Sequence, residues 1–379
     1  MNKIKVCILQ FGFARGGTDT FVINLCKAID KNKFDVTIIN PATSSALTSR
    51  ENEVLATGVK IFHTCEMYST KGKLKHLWLM YKFLKEEHFD TFHTNVDLFN
   101  GPQLFVAWLA GIPNRVCHSH NSQQARGIGK HINLSVKIYQ HIMRFLCHRF
   151  STRRCGCSKE AMKFLFPEFD WRDNSYPQII YNGIDLNKFR AIPSAELISK
   201  KKEELHLSAN KNILIVGHIG LQKNPLFSVE IFREICHLRN DVDLIWVGKG
   251  EMQNEVQKRL SDYKILPKVH FLGQRDDVSE IMHCADVFLF PSLFEGLGIV
   301  MIEAQASGLQ CVASSEVPKL ADCGATIYHK LTDKPIIWAN TICDILDGRL
   351  KLQVDEFRLS QFTIEHMTNQ MEKVFTPCE

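Results

Sequence analysis

The chain has 379 residues, 45% of them hydrophobic and 23% charged, with a net charge of +5. That length exceeds one ordinary core and points to two domains; the composition excludes long disorder, and the mild basicity, without a dense Lys/Arg stripe interleaved with aromatics, argues against nucleic acid while suiting a phosphate-bearing ligand or an anionic membrane surface. No window reaches the run of roughly 18 apolar residues that a membrane span needs, no signal peptide precedes the first apolar run, and the 13 scattered cysteines, with no Cys-x-x-Cys pair or zinc-like spacing, read as reduced thiols of a cytosolic protein.

Short β-branched runs alternate with longer amphipathic stretches, the pattern of a parallel α/β fold. Residues 5–10 are predicted as a buried strand, 18–30 as a helix after a glycine turn and 34–39 as a second strand. A helix at 73–87, a strand at 91–94, a helix at 98–110 and a strand at 115–118 follow. The helix expected at 132–150 carries Lys137, Arg144, His148 and Arg149 among apolar residues. It reads either as an ordinary surface helix or as a face toward lipid headgroups or a lipid-linked substrate. The run Ile179-Ile180-Tyr181-Asn182-Gly183-Ile184-Asp185 is expected to be a strand closed by an Asn-Gly turn, with the domain boundary just after it. The alternation then restarts. Strands are predicted at 212–217, 243–248, 269–273, 287–291 and 311–314, with helices at 225–238, 251–263, 278–284 and 299–307. The chain is thus divided into 1–185, 186–361 and a last segment, 362–379. In doubly wound sheets ligands bind beyond the carboxyl ends of the strands.

Four clusters carry chemistry. Phe11–Thr18, with Gly16 and Gly17, follows the first strand and opens the first helix, where paired glycines bring backbone close to an anion at a helix N-terminus; it is neither a G-x-G-x-x-G nor a Walker sequence. Gly217-His218-Ile219-Gly220-Leu221-Gln222-Lys223-Asn224-Pro225 sets Lys223 just before a helix, placed either for a phosphate or for solvent. Phe290-Pro291-Ser292-Leu293-Phe294-Glu295-Gly296-Leu297-Gly298-Ile299, leading to Glu303, is the most specific. Its amides at Gly296, Leu297, Gly298 and Ile299 can donate to a diphosphate, and Glu303 can accept from a vicinal diol. The fourth is Arg115-Val116-Cys117-His118-Ser119-His120-Asn121. His118 and His120 share one side of a strand, but no carboxylate or cysteine completes a metal set, so the pair is either structural or bonded to a sugar hydroxyl.

Together these clusters resemble family 4 of the retaining glycosyltransferases, of GT-B architecture, and within it the branch that builds bacterial capsular and exopolysaccharide repeat units. The likeness rests on Glu295 and Glu303 within Pro-Ser-x-Phe-Glu-Gly-x-Gly, on Asn182-Gly183-Ile184-Asp185 and on Gly16-Gly17. The resemblance implies an α/β fold of two Rossmann-like doubly wound domains facing each other across a cleft, with a last helix, at 362–374, crossing back to the first domain. It implies a nucleotide-sugar donor, with uridine as base, and an oligosaccharide or lipid-linked acceptor. It places Glu295 by the donor sugar, Glu303 by the ribose, Lys223 at the diphosphate, Gly16 and Gly17 near phosphates and acceptor, and His120, with His118 and Asn121 less directly, at the reacting sugar. A basic stretch at 144–154 would meet the cytoplasmic membrane face. One departure stands out: the family's arginine after Gly217 is His218 here, which offers less fixed charge to a leaving diphosphate.

The mechanism expected is stabilisation of the departing diphosphate by Lys223, loop amides and a helix dipole, without cofactor or metal, since no Asp-x-Asp motif points to one. A nucleotide-sugar epimerase and a non-catalytic nucleotide-sugar-binding partner remain open. A dehydrogenase is excluded by the missing dinucleotide fingerprint.

Overall fold

A computed structural model describes residues 3–14, 16–45, 48–121, 133–167, 176–207 and 211–377. Arg15, in the first glycine cluster, and Ile132, the expected helix start, lie outside the described residues. The chain forms two compact units, 1–184 with 362–379 and 185–361.

In the amino-terminal unit, β1 (Ile4–Leu9), α1 (Gly17–Ala28), β2 (Phe34–Asn40), α2 (Glu51–Leu55) and β3 (Lys60–His63) come first. They are followed by α3 (Thr70–Glu87), β4 (Thr91–Thr94), α4 (Asn100–Leu109), β5 (Asn114–Ser119), α5 (Leu134–Phe150), β6 (Arg153–Gly156) and α6 (Lys159–Leu165). The six strands are all parallel, in the order β3-β2-β1-β4-β5-β6. Alternate residues of β1 enter opposite layers, as the period of a strand requires. Val6 and Ile8 join α1 on one face; Cys7 and Leu9 join Met80 and Leu84 of α3 and Leu104 of α4 on the other. Burial on both faces is why β1 reads as a nearly continuous apolar run.

The second unit comprises α7 (Leu186–Arg190), α8 (Ala195–Glu204), β7 (Lys211–Val216), α9 (Pro225–Leu238), β8 (Val242–Val247), α10 (Gln253–Asp262) and β9 (Val269–Gly273). It continues with α11 (Val278–Met282), β10 (Val287–Phe290), α12 (Ile299–Ala306), β11 (Gln310–Ser314), β12 (Thr326–His329), α13 (Pro335–Leu346) and α14 (Glu356–Ser360). Its parallel sheet runs β12-β11-β10-β7-β8-β9. Both sheets are doubly wound: the first strand of each lies inside, and strand order reverses beside it, between β1 and β4 and between β7 and β10. Loops leaving that switch point border a natural ligand crevice.

The last helix, α15 (Ile364–Phe375), belongs to the first unit and packs on α1. Its terminal carbonyls, which no helix can satisfy internally, are met by side chains of the sheet. Asn114 Nδ2 donates to Val374 O at 2.9 Å, Thr91 Oγ1 to Phe375 O at 2.8 Å and Arg153 to Lys373 O at 2.9 Å.

The structure departs from expectation at several places. Residues 179–181 form no strand; Ile179 makes a single bridge to Gly156. The element expected at 98–110 opens with a 3-10 turn at Asp97–Phe99 before α4. β3, β6 and β12, each four residues long, are too short to show a period, and β6 begins with two arginines. The Asn-Gly-Ile-Asp run is instead a crossing point. Ile184 N donates to Phe362 O at 2.8 Å, Asn24 Nδ2 donates to Gly183 O at 2.9 Å, and Asp185 Oδ1 caps α7 through Lys188 N at 3.3 Å. A Cβ on Gly183 would lie 2.7 Å from Ile364 Cα, so backbone must meet backbone there. Gly183→Ala is expected to lower unfolding free energy by about 1–3 kcal/mol, read as a shift in urea midpoint at unchanged slope.

Candidate functional site

In the second unit, the turn Gly217–Gly220 leaves β7 and passes through a 3-10 turn, Leu221–Lys223, into α9. It lies against the turn that leaves β8. Ile219 N donates to Lys249 O at 3.1 Å, and a Cβ on Gly248 would come within 1.9 Å of Gly217 O. Glycine is therefore required where the two turns touch.

The loop after β10 closes on the same place. Leu293 N donates to Gln222 O at 2.8 Å, and Gln222 Nε2 donates to Phe294 O at 3.2 Å and Glu295 Oε2 at 3.3 Å. Lys223 Nζ lies 2.6 Å from Glu295 Oε1 and 4.5 Å above the Phe290 ring. The two side chains are only 18% and 8% exposed, so this ion pair is shielded from water and far stiffer than a surface pair. It bridges the two loops at the switch point. The ammonium has three donors, so the pair leaves Lys223 able to meet an anion as well.

Gly298 caps α12, whose first N–H groups, from Ile299 onward, have no acceptors within the helix and favour negative charge. Glu303 lies one turn further, with α7 packed against α12. Burial pushes its carboxyl up to about 7, opposed by the charge of Lys188, and among the described residues no hydrogen bond to it is found. His218 stands apart from this core. It is exposed, and its Nε2 is 2.6 Å from Glu251 Oε2, whose carboxyl is held low by its own backbone N–H and, after the opposing effect of burial, by His218. An Asp-x-Asp sequence does occur, Asp241-Val242-Asp243, but at the amino end of β8, away from these loops. Asp241 there pairs with Arg239 at 2.7 Å and Asp243 with His270 at 3.1 Å. Among the described residues no cluster of three or more His, Cys, Asp or Glu is arranged to hold a metal ion.

The amino-terminal unit has a cavity of ≈ 420 Å³ at its own switch point, lined by Gln10, Phe11, Thr18 and Asp19 beside β1 and by Asn95, Val96 and Asp97 after β4, with Lys73 and Tyr139 at its edge. Asp19 organises the glycine loop. Its carboxylate accepts from Ala14 N at 2.9 Å, Gly16 N at 3.0 Å and Gln10 Nε2 at 2.9 Å. The Gly16 amide is therefore occupied, and Gly17 and Thr18 follow it at the start of α1. Burial raises the Asp19 carboxyl against the pull of the Gly16 and Ala14 amides.

His118 and His120 lie side by side, ring centroids 4.1 Å apart, and Phe21 meets both edge-on at 5.1 Å. His93 of β4 joins them, its Nε2 3.2 Å from His118 Nδ1. Burial depresses all three imidazoles, His93 and His120 to about 3, so they are neutral near pH 7. His120 is 7% exposed and bonds Asn95 Oδ1 at 2.9 Å. Asn95, not His120, therefore lines the cavity. Asn121 donates to Asp97, whose carboxyl burial raises.

The structure thus joins Lys223 to Glu295, His118 to His120 and Asn121 to the cavity wall, and sets His218 on a separate carboxylate. Sequence reasoning missed Asp19, Asn95, Asp97, His93, Gln222 and Glu251. Asn95 and Asp97 were legible as polar residues directly after a buried strand, and Asp19 as an acid in a first helical turn. His93 lies in the four-residue strand Thr91-Phe92-His93-Thr94, too short to show a period, and so gave no signal.

The family profile for glycosyl transferases group 1 matches residues 210–347, and that for glycosyltransferase family 4 matches residues 15–188. EpsF of Bacillus subtilis (strain 168), a glycosyltransferase by name, is 29% identical over 97% of this chain and 95% of its own. A UDP-Gal:alpha-D-GlcNAc-diphosphoundecaprenol alpha-1,3-galactosyltransferase of Escherichia coli is 28% identical over 83% of this chain and 80% of its own. The crystal structure of Anabaena HepE in complex with UDP and glucose superposes with a TM-score of 0.80 at 17% identity, covering 98% of each chain.

Because burial raises the Glu303 carboxyl, the folded protein holds that proton to higher pH than the unfolded chain. The stability it contributes is complete below about pH 4.5 and is lost as pH rises through about 7. Glu303→Gln, neutral throughout, is expected to match the wild type at low pH and exceed it on the order of 1–3 kcal/mol above neutrality, measured by paired thermal melts across pH.

Proposed function

Since the chain belongs to the family 4, group 1 glycosyltransferases of GT-B fold, we propose that it moves a sugar from a UDP-sugar to a carbohydrate acceptor on a lipid carrier, with retention at the anomeric carbon, in capsular or exopolysaccharide synthesis. The shielded Lys223–Glu295 pair at the switch point of the second unit carries this reading. The Escherichia coli relative, which transfers galactose from UDP-Gal to a diphosphoundecaprenol-linked sugar, and the Anabaena complex with UDP and glucose support the donor and acceptor classes.

As the glycosidic bond to phosphate breaks, negative charge grows on the departing diphosphate. Lys223, the amides of Leu297, Gly298 and Ile299 and the dipole of α12 meet it, preorganised where the charge develops. Glu295 holds Lys223 in place and presents its carboxylate to the donor sugar's hydroxyls. Glu303 accepts from the ribose diol, which favours its ionised form. The acceptor's sugar occupies the cavity beside Asp19, Asn95 and Asp97, and His120 acts on it through Asn95. The acceptor hydroxyl attacks the face the phosphate leaves, giving its proton to the leaving oxygen. Glu295, already engaged by Lys223 and Gln222, is not a free nucleophile, so no covalent intermediate is invoked.

One observation favours a second reading, a non-catalytic nucleotide-sugar-binding partner of a transferase: His218 stands at the family's arginine position and is already paired with Glu251. Lys223→Ala is expected to lower kcat about 10²–10³-fold in a transfer assay, with wild-type activity surviving chelation; activity lost in chelator and restored by a divalent cation would show that a metal carries the leaving group instead. UDP at about 100 times its Kd is expected to add about 2.7 kcal/mol of stability to the wild type and not to Glu303→Ala. Stabilisation without transfer to any acceptor would favour the second reading.

A further inference from the structure

The layer of α3, α4 and α5 shows apolar side chains to solvent that the packing of its own unit does not explain. On α3, Leu74, Trp78 and Tyr81 follow the i, i+4, i+7 spacing of a single stripe. Leu74 is 64% and Trp78 53% exposed. Lys71, Lys75, Lys82 and Lys85, all exposed, flank that stripe, and no acidic residue occurs between Met67 and Lys85. Lys82 Nζ lies 4.0 Å above the Trp78 ring. α4 packs beside α3 and α5 beside α4. α4 adds exposed Phe105 and Trp108, stacked at 5.9 Å. α5 adds a second stripe at i, i+4, i+8 and i+11: Leu134, Ile138, Ile142 and Phe145, all exposed. α5 also lacks any acidic residue. Both stripes turn away from the sheet, because Met80, Leu84 and Cys147 fill the core beneath.

Within the basic stretch at 144–154, three arginines bond backbone carbonyls. Arg144 donates to Phe164 O at 2.7 Å, Arg153 to Lys373 O at 2.9 Å and Arg154 to His148 O at 3.0 Å. Those guanidiniums hold the fold, whereas the lysines of α3 and Lys137 and Arg149 of α5 are exposed.

We propose that this three-helix face docks the protein on an anionic phospholipid bilayer, its aromatic and aliphatic side chains entering the headgroup boundary and its lysines meeting lipid phosphates. Trp and Tyr settle at that depth, and lysine stems lie along the apolar surface while their ammonium groups reach outward. The centre of a protein–protein interface is depleted of lysine. A second copy docked symmetrically would set like-charged rows together. The cavity of the same unit has Lys73 of α3 and Tyr139 of α5 on its wall, which would bring it beside the lipid surface. That link rests on the acceptor reading, and the docking itself does not.

The test is flotation of the full chain with vesicles of phosphatidylcholine alone and of phosphatidylcholine mixed with phosphatidylglycerol. Wild type is expected to float with the mixed vesicles only, less so as salt rises. Lys75→Gln with Lys82→Gln, which alters no apolar group, is expected to weaken partitioning about fivefold per lysine. Trp78→Ser is expected to weaken it by about tenfold or more, with both variants melting like wild type. Wild type that does not float, that floats equally with neutral vesicles, or that floats no better than the variants overturns the proposal. So does a wild-type dimer in sedimentation velocity that Trp78→Ser converts to monomer, which would make the face a self-association surface. UDP melts of the same variants report on the donor site separately, since none of these three residues belongs to it.

Discussion

A parallel strand covered by helices on both sides is buried along its length, so a polar ligand can be met only where the strand ends. That constraint organises both units. β1 and β7 lie inside their sheets and the chain winds outward from each in both directions, which parts the loops beside them and opens a crevice at the carboxyl edge. The cavity lined by Gln10, Asp19, Asn95 and Asp97 sits at one such place, and the Lys223–Glu295 pair at the other. The polar residues assigned to chemistry were not free to lie elsewhere without breaking a core.

Burial then sets the charge each residue brings. Lys223 and Glu295 are shielded together and answer one another. Among the described residues Glu303 has no hydrogen-bonded partner, and burial, opposed by the charge of Lys188, raises its carboxyl to about 7. The three histidines show the same physics with opposite sign: burial depresses each imidazole and keeps it neutral. His120 bonds Asn95. His218, exposed, is paired with Glu251, away from the Lys223–Glu295 pair.

Much of this was legible in the chain. The alternation of apolar runs with amphipathic stretches specified a doubly wound α/β fold, and several boundaries, such as Pro225–Leu238 and Val269–Gly273, were readable to the residue, since proline, glycine and charge punctuate them. What escaped has a common cause. β3 and β12 are four-residue edge strands that bury little and show no period. His93 sits in a four-residue strand between phenylalanine and threonine neighbours, with no pattern to mark it. The Asn-Gly-Ile-Asp segment carried a turn signal, yet its geometry depends on Phe362 and Ile364, nearly 180 residues away.

By itself the sequence determined which residues could do chemistry, because residue type, glycine spacing and position after a strand are local properties. It determined the fold class for the same reason. Only the tertiary structure decided which of those residues meet. It placed Glu295 on Lys223 and Glu251 on His218, spent Arg144, Arg153 and Arg154 on carbonyls, and left Leu74 and Trp78 bare. Pairing and exposure depend on groups distant along the chain being brought within a few ångströms, and no local pattern encodes that.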